Sequence, residues 1–211
     1  MRKKKVLAWH FVRDDRMLGY DAQGLAVEPG YVYSVGRGIT PVLCKQGLHG
    51  SLSVFDALQY APGFYLCRVA MWGDLTYGND QMVARHRQVL AAKDVSSELR
   101  LWGCWCVRQV WHQLTDDRSR KAVETAEAYA VGKATSQELK AAGAAAWDAA
   151  RAVSGTVTWA AAGAAAGVAT WETARAAAGV ATWAAAGAAA WTTARAIQKT
   201  ELERRMLDLL G

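Results

Sequence analysis

The chain contains few cysteines, and their spacing excludes the disulfide framework of a small secreted domain. The four in its 211 residues are Cys44, Cys67, Cys104 and Cys106. Small secreted domains held together by disulfides are much denser in cysteine. The four also do not form, with His49 or His112, the regular two-residue knuckles of a structural zinc site. We therefore expect reduced thiols in a hydrophobic core, and no metal site.

Sequence motifs of common catalytic sites are missing as well. No glycine-rich, phosphate-binding loop follows a predicted strand, and no spacing of serine, histidine and aspartate indicates a nucleophile. The residues themselves therefore indicate no cofactor, and they favour binding over enzyme activity.

Long runs of leucine, isoleucine and phenylalanine are absent from the second half of the chain. Residues 152–171 and 176–194 carry no charge, but they consist almost entirely of Ala, Gly, Thr, Val and Trp, a composition that disfavours membrane insertion. The basic start at Arg2 resembles a signal peptide, but the apolar run after it is interrupted by His10 and ends at Arg13. We expect a cytoplasmic protein without a membrane partner.

Basic charge is in excess only in the first part of the chain. Residues 1–135 contain 18 Lys and Arg against 13 acids, and residues 136–211 contain 7 against 6. This charge is concentrated only at residues 2–5 and 85–87, and without a basic stripe a nucleic-acid partner is disfavoured.

The composition changes abruptly near residue 135, which predicts a small domain followed by an extension. We expect an α+β fold: an α+β domain over residues 1–115, a connecting helix over 116–135, and an all-α, alanine-rich extension over 136–211. The first domain should hold a mixed β-sheet with short helices. Strands are predicted over residues 6–12, 31–35, 41–44, 64–70, 75–77 and 82–90.

Helix boundaries follow from residues that satisfy free backbone groups. Ser53 is suited to cap a short helix that extends to Tyr60. Apolar residues at helical spacing predict a helix over 95–114 that packs against the sheet. A helix from Thr115 should end at Gly132 in the left-handed conformation, and Thr135 with Glu138 forms a capping box.

Residues 140–199 form five consecutive twelve-residue units in which every fourth position from residue 143 is Gly, Trp, Arg or Lys. Each twelve-residue step overshoots whole helical turns by about 120°, so a straight helix could not present all its indoles to one partner. We therefore expect helix breaks at 155–158, 167–170 and 179–182, with the threonine before each tryptophan capping the next segment.

The Ala and Gly faces suit self-association or packing on the first domain. The indoles expected to mediate interactions are Trp147, Trp159, Trp171, Trp183 and Trp191. The last segment, with Leu202 and Met206 on one face, is an amphipathic helix that should dock.

Four motifs in the first domain carry a resemblance. They are the strand Trp9-His10-Phe11, the run Leu43-Cys44 to Gly47-Leu48-His49-Gly50-Ser51, and Asp56-Ala57-Leu58 to Tyr60-Ala61-Pro62-Gly63 with Leu66-Cys67-Arg68-Val69 after it. Together with the Trp-Asp-Ala-Ala-Arg motif at 147–151, these residues resemble a family of uncharacterised bacteriophage and prophage domains. The resemblance covers roughly residues 6–115 and implies a lineage without an activity.

A fainter similarity is to ADP-ribosyltransferase-like folds. It implies that His49 bonds the ribose of NAD, that Tyr60 or Tyr65 stacks on the nicotinamide, and that Asp80 acts as the acid on a later strand.

The expected polar lining of a ligand pocket is His10, His49, Tyr60, Arg68 and Asp80. The sequence thus favours a phage-type accessory protein whose first domain binds a ligand or partner and whose repeat tail mediates homo-oligomerisation or binds a protein partner. An ADP-ribosyltransferase-like enzyme, or a non-catalytic nucleotide binder, is the alternative.

Overall fold

The computed structural model describes residues 4–18, 25–170, 174–188 and 190–211. The α+β class is confirmed, with antiparallel sheets first and helices after them. By its contacts the chain divides into two compact units, residues 1–95 with 202–211, and residues 96–201. We call them the sheet unit and the helical unit. This division differs from the expected one, since the helix that follows residue 95 belongs to the helical unit and the last ten residues belong to the sheet unit.

Two sheets make up the sheet unit. The strands are β1 (Val6–Val12), β2 (Val32–Ser34), β3 (Leu48–Gly50), β4 (Tyr65–Trp72), β5 (Thr76–Tyr77), β6 (Met82–Ala84) and β7 (His86–Asp94). They form a four-stranded sheet in the order β1-β4-β7-β2 and a three-stranded sheet in the order β3-β6-β5. Every pairing between these strands is antiparallel, which corrects the expected mixed sheet. Parallel pairs need long crossovers, usually helical, and here the long helices follow the strands instead of alternating with them.

The four-stranded sheet has side chains buried on both faces. Along β1, Ala8 and Val12 lie on one face, in a core cluster with residues of β4, β6 and β7. Since side chains alternate along a strand, His10 projects to this same face. Trp9 is fully buried and projects to the other face. Helix α1 (Val54–Leu58) packs against β1.

Helix α1 begins as the sequence predicts. The Ser53 hydroxyl oxygen accepts a hydrogen bond of 3.2 Å from the amide of Phe55, which satisfies one of the free amides of the first turn. The helix ends at Leu58, two residues before the predicted end.

Two strand predictions are corrected by local geometry. Residues 41–44 form a turn in which Val42 bridges to Gln46, and Cys44 takes a left-handed conformation with φ of 58°. The predicted strand over 82–90 is divided at Arg85, whose amide donates to the Gly73 carbonyl. The residues on either side of Arg85 belong to different sheets.

The helices are α2 (Ser96–Arg108), α3 (Asp117–Ala130), α4 (Ser136–Ala152), α5 (Thr156–Thr170), α6 (Ala174–Ala186) and α7 (Trp191–Leu210), with a short 3-10 turn at Trp111–Gln113. Within the helical unit α2 packs on α3, α5 and α6, and α5 also packs on α3 and α4. Among the helices that the structure describes, none combines the length and apolar composition needed to cross a bilayer.

The capping box of α4 and the glycine after α3 are as predicted, whereas α3 begins one residue later than predicted. The cap of α3 is Asp116, whose carboxylate accepts from the Arg118 amide, rather than Thr115. The helix stops at Gly132, which has φ of 74°. The capping box of Thr135 and Glu138 is complete in both directions.

The repeat tract breaks at one of its three predicted positions. Gly155, with φ of 105°, separates α4 from α5 as expected. Residues 167–170 and 179–182 are helical, so these two predicted breaks are wrong. The hydroxyls of Thr170 and Thr182 donate to carbonyls four residues back and cap no new helix. Helix packing overrides local propensity here, since Val168 and Val180 are buried.

Glycines allow the helices of the repeat tract to approach closely. A Cβ added at Gly167 would lie 2.8 Å from Cγ2 of Val180, and one at Gly143 would lie 2.5 Å from Cγ2 of Thr170. Both glycines come from the repeat lattice, so close packing between Ala and Gly faces occurs within the chain itself.

Candidate ligand-binding site

A cavity of about 350 Å³ opens in the sheet unit, and we call it cavity A. Its side chains come from β1, β3, α1 and the turns around them. The lining residues are Trp9, His10, Phe11, Cys44, Lys45, His49, Gly50, Ser51, Ala57, Tyr60 and Gln81. Three of the five residues selected from the sequence, His10, His49 and Tyr60, are therefore brought together.

His10 is a polar side chain of cavity A whose ring nitrogens are available for hydrogen bonds. It is partly buried on the core-facing side of β1 and makes no hydrogen bond to any residue within the described ranges. Burial lowers the pKa of its imidazole well below 6.5, and the charge of Arg87 lowers that pKa further. The ring is therefore neutral at pH 7, with its nitrogens available to a ligand.

His49 is held by its own turn. Its Nε2 accepts a hydrogen bond of 3.2 Å from the Cys44 amide, which assigns the proton of the neutral ring to Nδ1. Burial lowers the pKa of His49, a backbone hydrogen bond to Gly47 opposes that shift, and the charge of Arg87 adds to it. His49 thus fixes the shape of the cavity wall more than it offers free hydrogen-bonding atoms.

Tyr60 and Asp80 form a pair at the edge of cavity A. The phenol oxygen of Tyr60 donates a hydrogen bond of 2.6 Å to Oδ2 of Asp80. This bond raises the pKa of Tyr60 to about 12. Asp80 is not among the residues that line the cavity, because its carboxylate is turned to the phenol.

Arg68 and Tyr65 lie apart from cavity A. The guanidinium of Arg68 sits 4.3 Å from the centroid of the Trp9 ring. Burial lowers the pKa of Arg68, and the nearby carboxylate of Glu203 opposes that change. Tyr65 packs on the core cluster with the guanidinium of Arg16 over its ring. Arg68 supports the buried Trp9 instead of lining the pocket with His10.

Sequence reasoning missed two cavity residues that bond to each other. Nε2 of Gln81 donates to Sγ of Cys44 at 2.8 Å, and Cys44 is exposed, whereas the other three cysteines are buried. The prediction of four core thiols is corrected at this position. The only signal in the sequence for the exposure of Cys44 was the turn before Gly47, which keeps Cys44 out of a strand and therefore out of the core.

The tryptophans selected as interaction residues have different environments. The rings of Trp147 and Trp183 meet edge to face with centroids 5.7 Å apart, and Trp159 lies 6.2 Å from Trp183. The side chains of Trp159 and Trp191 are 47% and 48% exposed. Trp171 lies outside the described residues.

In the part of the chain that the structure describes, no three His, Cys, Asp or Glu side chains are grouped so that they could hold a metal ion. No protein-family model matches the sequence, no curated protein is significantly similar to it, and no solved structure matches its fold.

Proposed function

We propose that this chain is a phage-type accessory protein of the cytoplasm that binds a small ligand in cavity A and does not transform it. One observation carries the proposal: His10, His49 and Tyr60, which were selected from the sequence alone, line one cavity beside Trp9. The volume of about 350 Å³ falls in the range of small-ligand sites. The free thiols fit a reducing compartment.

A nucleotide or nucleoside is the ligand class that this lining fits best. Tyr60, whose side chain is 48% exposed, contributes aromatic surface, which suits a planar heterocycle. The neutral ring of His10 can donate one hydrogen bond and accept another, as the edge of a base requires. Neither interaction needs a charged group in the cavity.

Thermal unfolding tests this proposal directly. We expect NAD, ADP-ribose, cyclic AMP or adenosine to raise the melting temperature, since a ligand at a hundred times its Kd adds about 2.7 kcal/mol to stability. Tyr60→Ala should abolish the shift. Tyr77→Ala is the matched control, because Tyr77 is also about half exposed in the sheet unit but does not line cavity A.

Reactivity of Cys44 provides a second readout of the same cavity. A ligand that fills cavity A should slow labelling of this exposed thiol by a disulfide reagent. The proposal fails if no compound of the panel changes either signal, or if Tyr60→Ala and Tyr77→Ala lose the shift equally.

The alternative, an ADP-ribosyltransferase-like enzyme, is favoured by the shared position of His49 and Tyr60 in cavity A. It requires an acid that faces the substrate, whereas the carboxylate of Asp80 accepts the phenol of Tyr60. Release of nicotinamide from NAD by the full chain, lost in Asp80→Asn, would support the enzyme over the binder. We expect no release.

For the helical unit we propose self-association or binding of a protein partner through the exposed rings of Trp159 and Trp191. Exposed tryptophans are over-represented among residues that dominate binding energy. Light scattering on the full chain should give a mass above the monomer, reduced by Trp159→Gln with Trp191→Gln. Val131→Thr, at another exposed apolar position of this unit, is the control. An unchanged mass in the double variant would contradict this role.

A further inference from the structure

A second cavity of the sheet unit contains a buried positive charge, and we call it cavity B. It has a volume of about 790 Å³ and shares His10 and His49 with cavity A. Its remaining walls are mostly apolar, with Arg87 from β7 among them.

Arg87 is buried, and none of the carboxylates that the structure describes pairs with it. Its side chain is only 3% exposed, and it lies on the face of β7 that carries Val89 into the core. One nitrogen, Nη1, donates a hydrogen bond of 2.8 Å to the His49 carbonyl, while Nε has no partner. Within residues 4–18, 25–170, 174–188 and 190–211, no carboxylate forms an ion pair with Arg87.

Such an arrangement is costly unless something compensates the charge. Buried cations in proteins are normally paired, since an isolated charge loses its hydration without recovering it. Burial lowers the pKa of Arg87 to about 10, so the guanidinium remains charged at pH 7. The neighbouring side chains that interact electrostatically with it are Cys67 and Tyr33, and both are neutral at that pH.

The exposed part of the cavity B lining is largely apolar, with Ser34 and Gln46 as its polar members. Leu25, Tyr31, Val32 and Ile39 all line it, and each is at least 40% exposed. A cavity that combines an apolar rim with one buried cation is complementary to an amphipathic anion.

We propose that cavity B binds a small organic anion whose carboxylate or phosphate pairs with the guanidinium of Arg87 and whose apolar body contacts Tyr31 and Ile39. The Nε–H group, which has no partner among the described residues, donates to the anion, and the planar fork of arginine suits a two-oxygen contact. His10, at the wall shared with cavity A, supplies a further polar contact. This inference goes beyond the proposed function, since it concerns a different cavity and a different ligand class.

Titration calorimetry on the full chain tests the site with defined probes. The probes with both an anionic group and an apolar part are phenyl phosphate, benzoate and octanoate. Inorganic phosphate has the anionic group alone. We expect at least one of the three organic anions to bind at least tenfold more tightly than inorganic phosphate. The preferred probe also distinguishes a phosphate ligand from a carboxylate ligand.

Two variants test the contact with the anionic group and the contact with the apolar part of the ligand separately. Arg87→Met should reduce the affinity for every anion at least tenfold, because the apolar side chain cannot pair with the anion. Tyr31→Ala should weaken the organic anions while leaving inorganic phosphate unchanged. Arg85→Met is the matched control, since Arg85 is close in sequence but already pairs with Asp74 and does not line cavity B. It should leave all affinities unchanged.

The free protein gives an independent readout if binding is difficult to measure. Since no described carboxylate compensates the charge of Arg87, Arg87→Met should melt at or above the temperature of the wild type. The proposal would be overturned if Arg87→Met melts at a much lower temperature and the wild type binds no anion. Arg87 would then serve only to stabilise the turn at His49 through its hydrogen bond to the His49 carbonyl. Adenosine binding lost in Tyr60→Ala reports on cavity A alone, so failure of either proposal is distinguishable from failure of the other.

Discussion

The indole Nε1 of Trp9 donates a hydrogen bond of 2.6 Å to Oε1 of Glu203, across 194 positions of sequence. The second carboxylate oxygen of Glu203 accepts a hydrogen bond of 2.9 Å from the amide of Val54, at the start of α1. One carboxylate thus joins the C-terminal end of α7 to the first strand and the first helix of the sheet unit.

Glu203→Ala should lower the free energy of unfolding of the sheet unit by about 2–3 kcal/mol. The loss leaves the Trp9 indole and the Val54 amide without an acceptor, and each unsatisfied buried donor costs about 1–3 kcal/mol. Urea unfolding followed by tryptophan fluorescence measures the change. Asp208→Asn is the matched control on the same helix, because its ion pair with Arg204 is exposed and should contribute under about 1 kcal/mol. Equal effects of the two substitutions would contradict the role of Glu203.

Two glycines at equivalent positions of the repeat should respond in opposite directions to alanine. Gly167→Ala should destabilise the helical unit by about 1–2 kcal/mol, since the new Cβ would contact Val180 and overpacking outweighs the gain in helix propensity. At Gly179 an added Cβ has nothing within 4 Å, so Gly179→Ala should stabilise α6 by about 0.5–1 kcal/mol. Thermal unfolding of both variants measures these changes, and stabilisation by both substitutions would show that helix propensity alone governs the tract.

Stability should decrease in mild acid because of His10. Burial lowers the pKa of His10 below 6.5, whereas the unfolded chain retains the ordinary value of about 6.5. As pH falls below that value the unfolded state binds more protons than the folded state, so the free energy of unfolding falls. The contribution is complete above 6.5 and is lost progressively toward the lower, folded pKa. His49 acts in the same direction.

His10→Asn should therefore reduce the dependence of stability on pH. Urea unfolding of both proteins at about pH 8 and about pH 5.5 spans the expected range. Their difference in stability should shift in favour of the variant at the lower pH. An identical difference at both pH values would show that the His10 ring is not held neutral in the folded protein.

Thiol reactivity should identify one cysteine of four under native conditions. Cys44 is exposed, whereas Cys67, Cys104 and Cys106 are buried. Burial raises the pKa of both Cys67 and Cys104 to about 12, which removes the reactive thiolate at neutral pH. A colorimetric disulfide reagent should titrate one equivalent before unfolding and four after it. Cys44→Ser should abolish the native reaction, and a second fast equivalent in that variant would contradict the burial of the others.

Elements with short-range signals were predictable from the sequence, and the candidate site was predictable in part. The caps at Ser53 and Thr135 and the helix end at Gly132 depend on hydrogen bonds that close within a few residues, so their positions could be read from the chain. His10, His49 and Tyr60 were selected as polar residues beside strands and a short helix. Arg68 was selected with them, but the structure places its guanidinium over the Trp9 ring, because Arg68 and Trp9 are partners in the pairing of β4 with β1.

Other features depend on partners far away along the chain. The repeat predicted breaks at residues 167–170 and 179–182 because glycine and β-branched residues weaken an isolated helix. Tertiary packing reversed that preference by burying Val168 and Val180. The glycines that weaken an isolated helix provide the space that α5 and α6 need in order to pack together.

By itself the sequence determined the α+β class, the helix caps and the break at Gly155, because each follows from composition or from bonds between near neighbours. Only the tertiary structure decided that Glu203 binds Trp9, that His10 lies between two cavities, and that Arg87 is buried away from every described carboxylate. These three results depend on strand pairing and helix docking between segments tens to almost two hundred residues apart. No local pattern encodes such distances, since the free energy that selects them comes from burial of the whole fold.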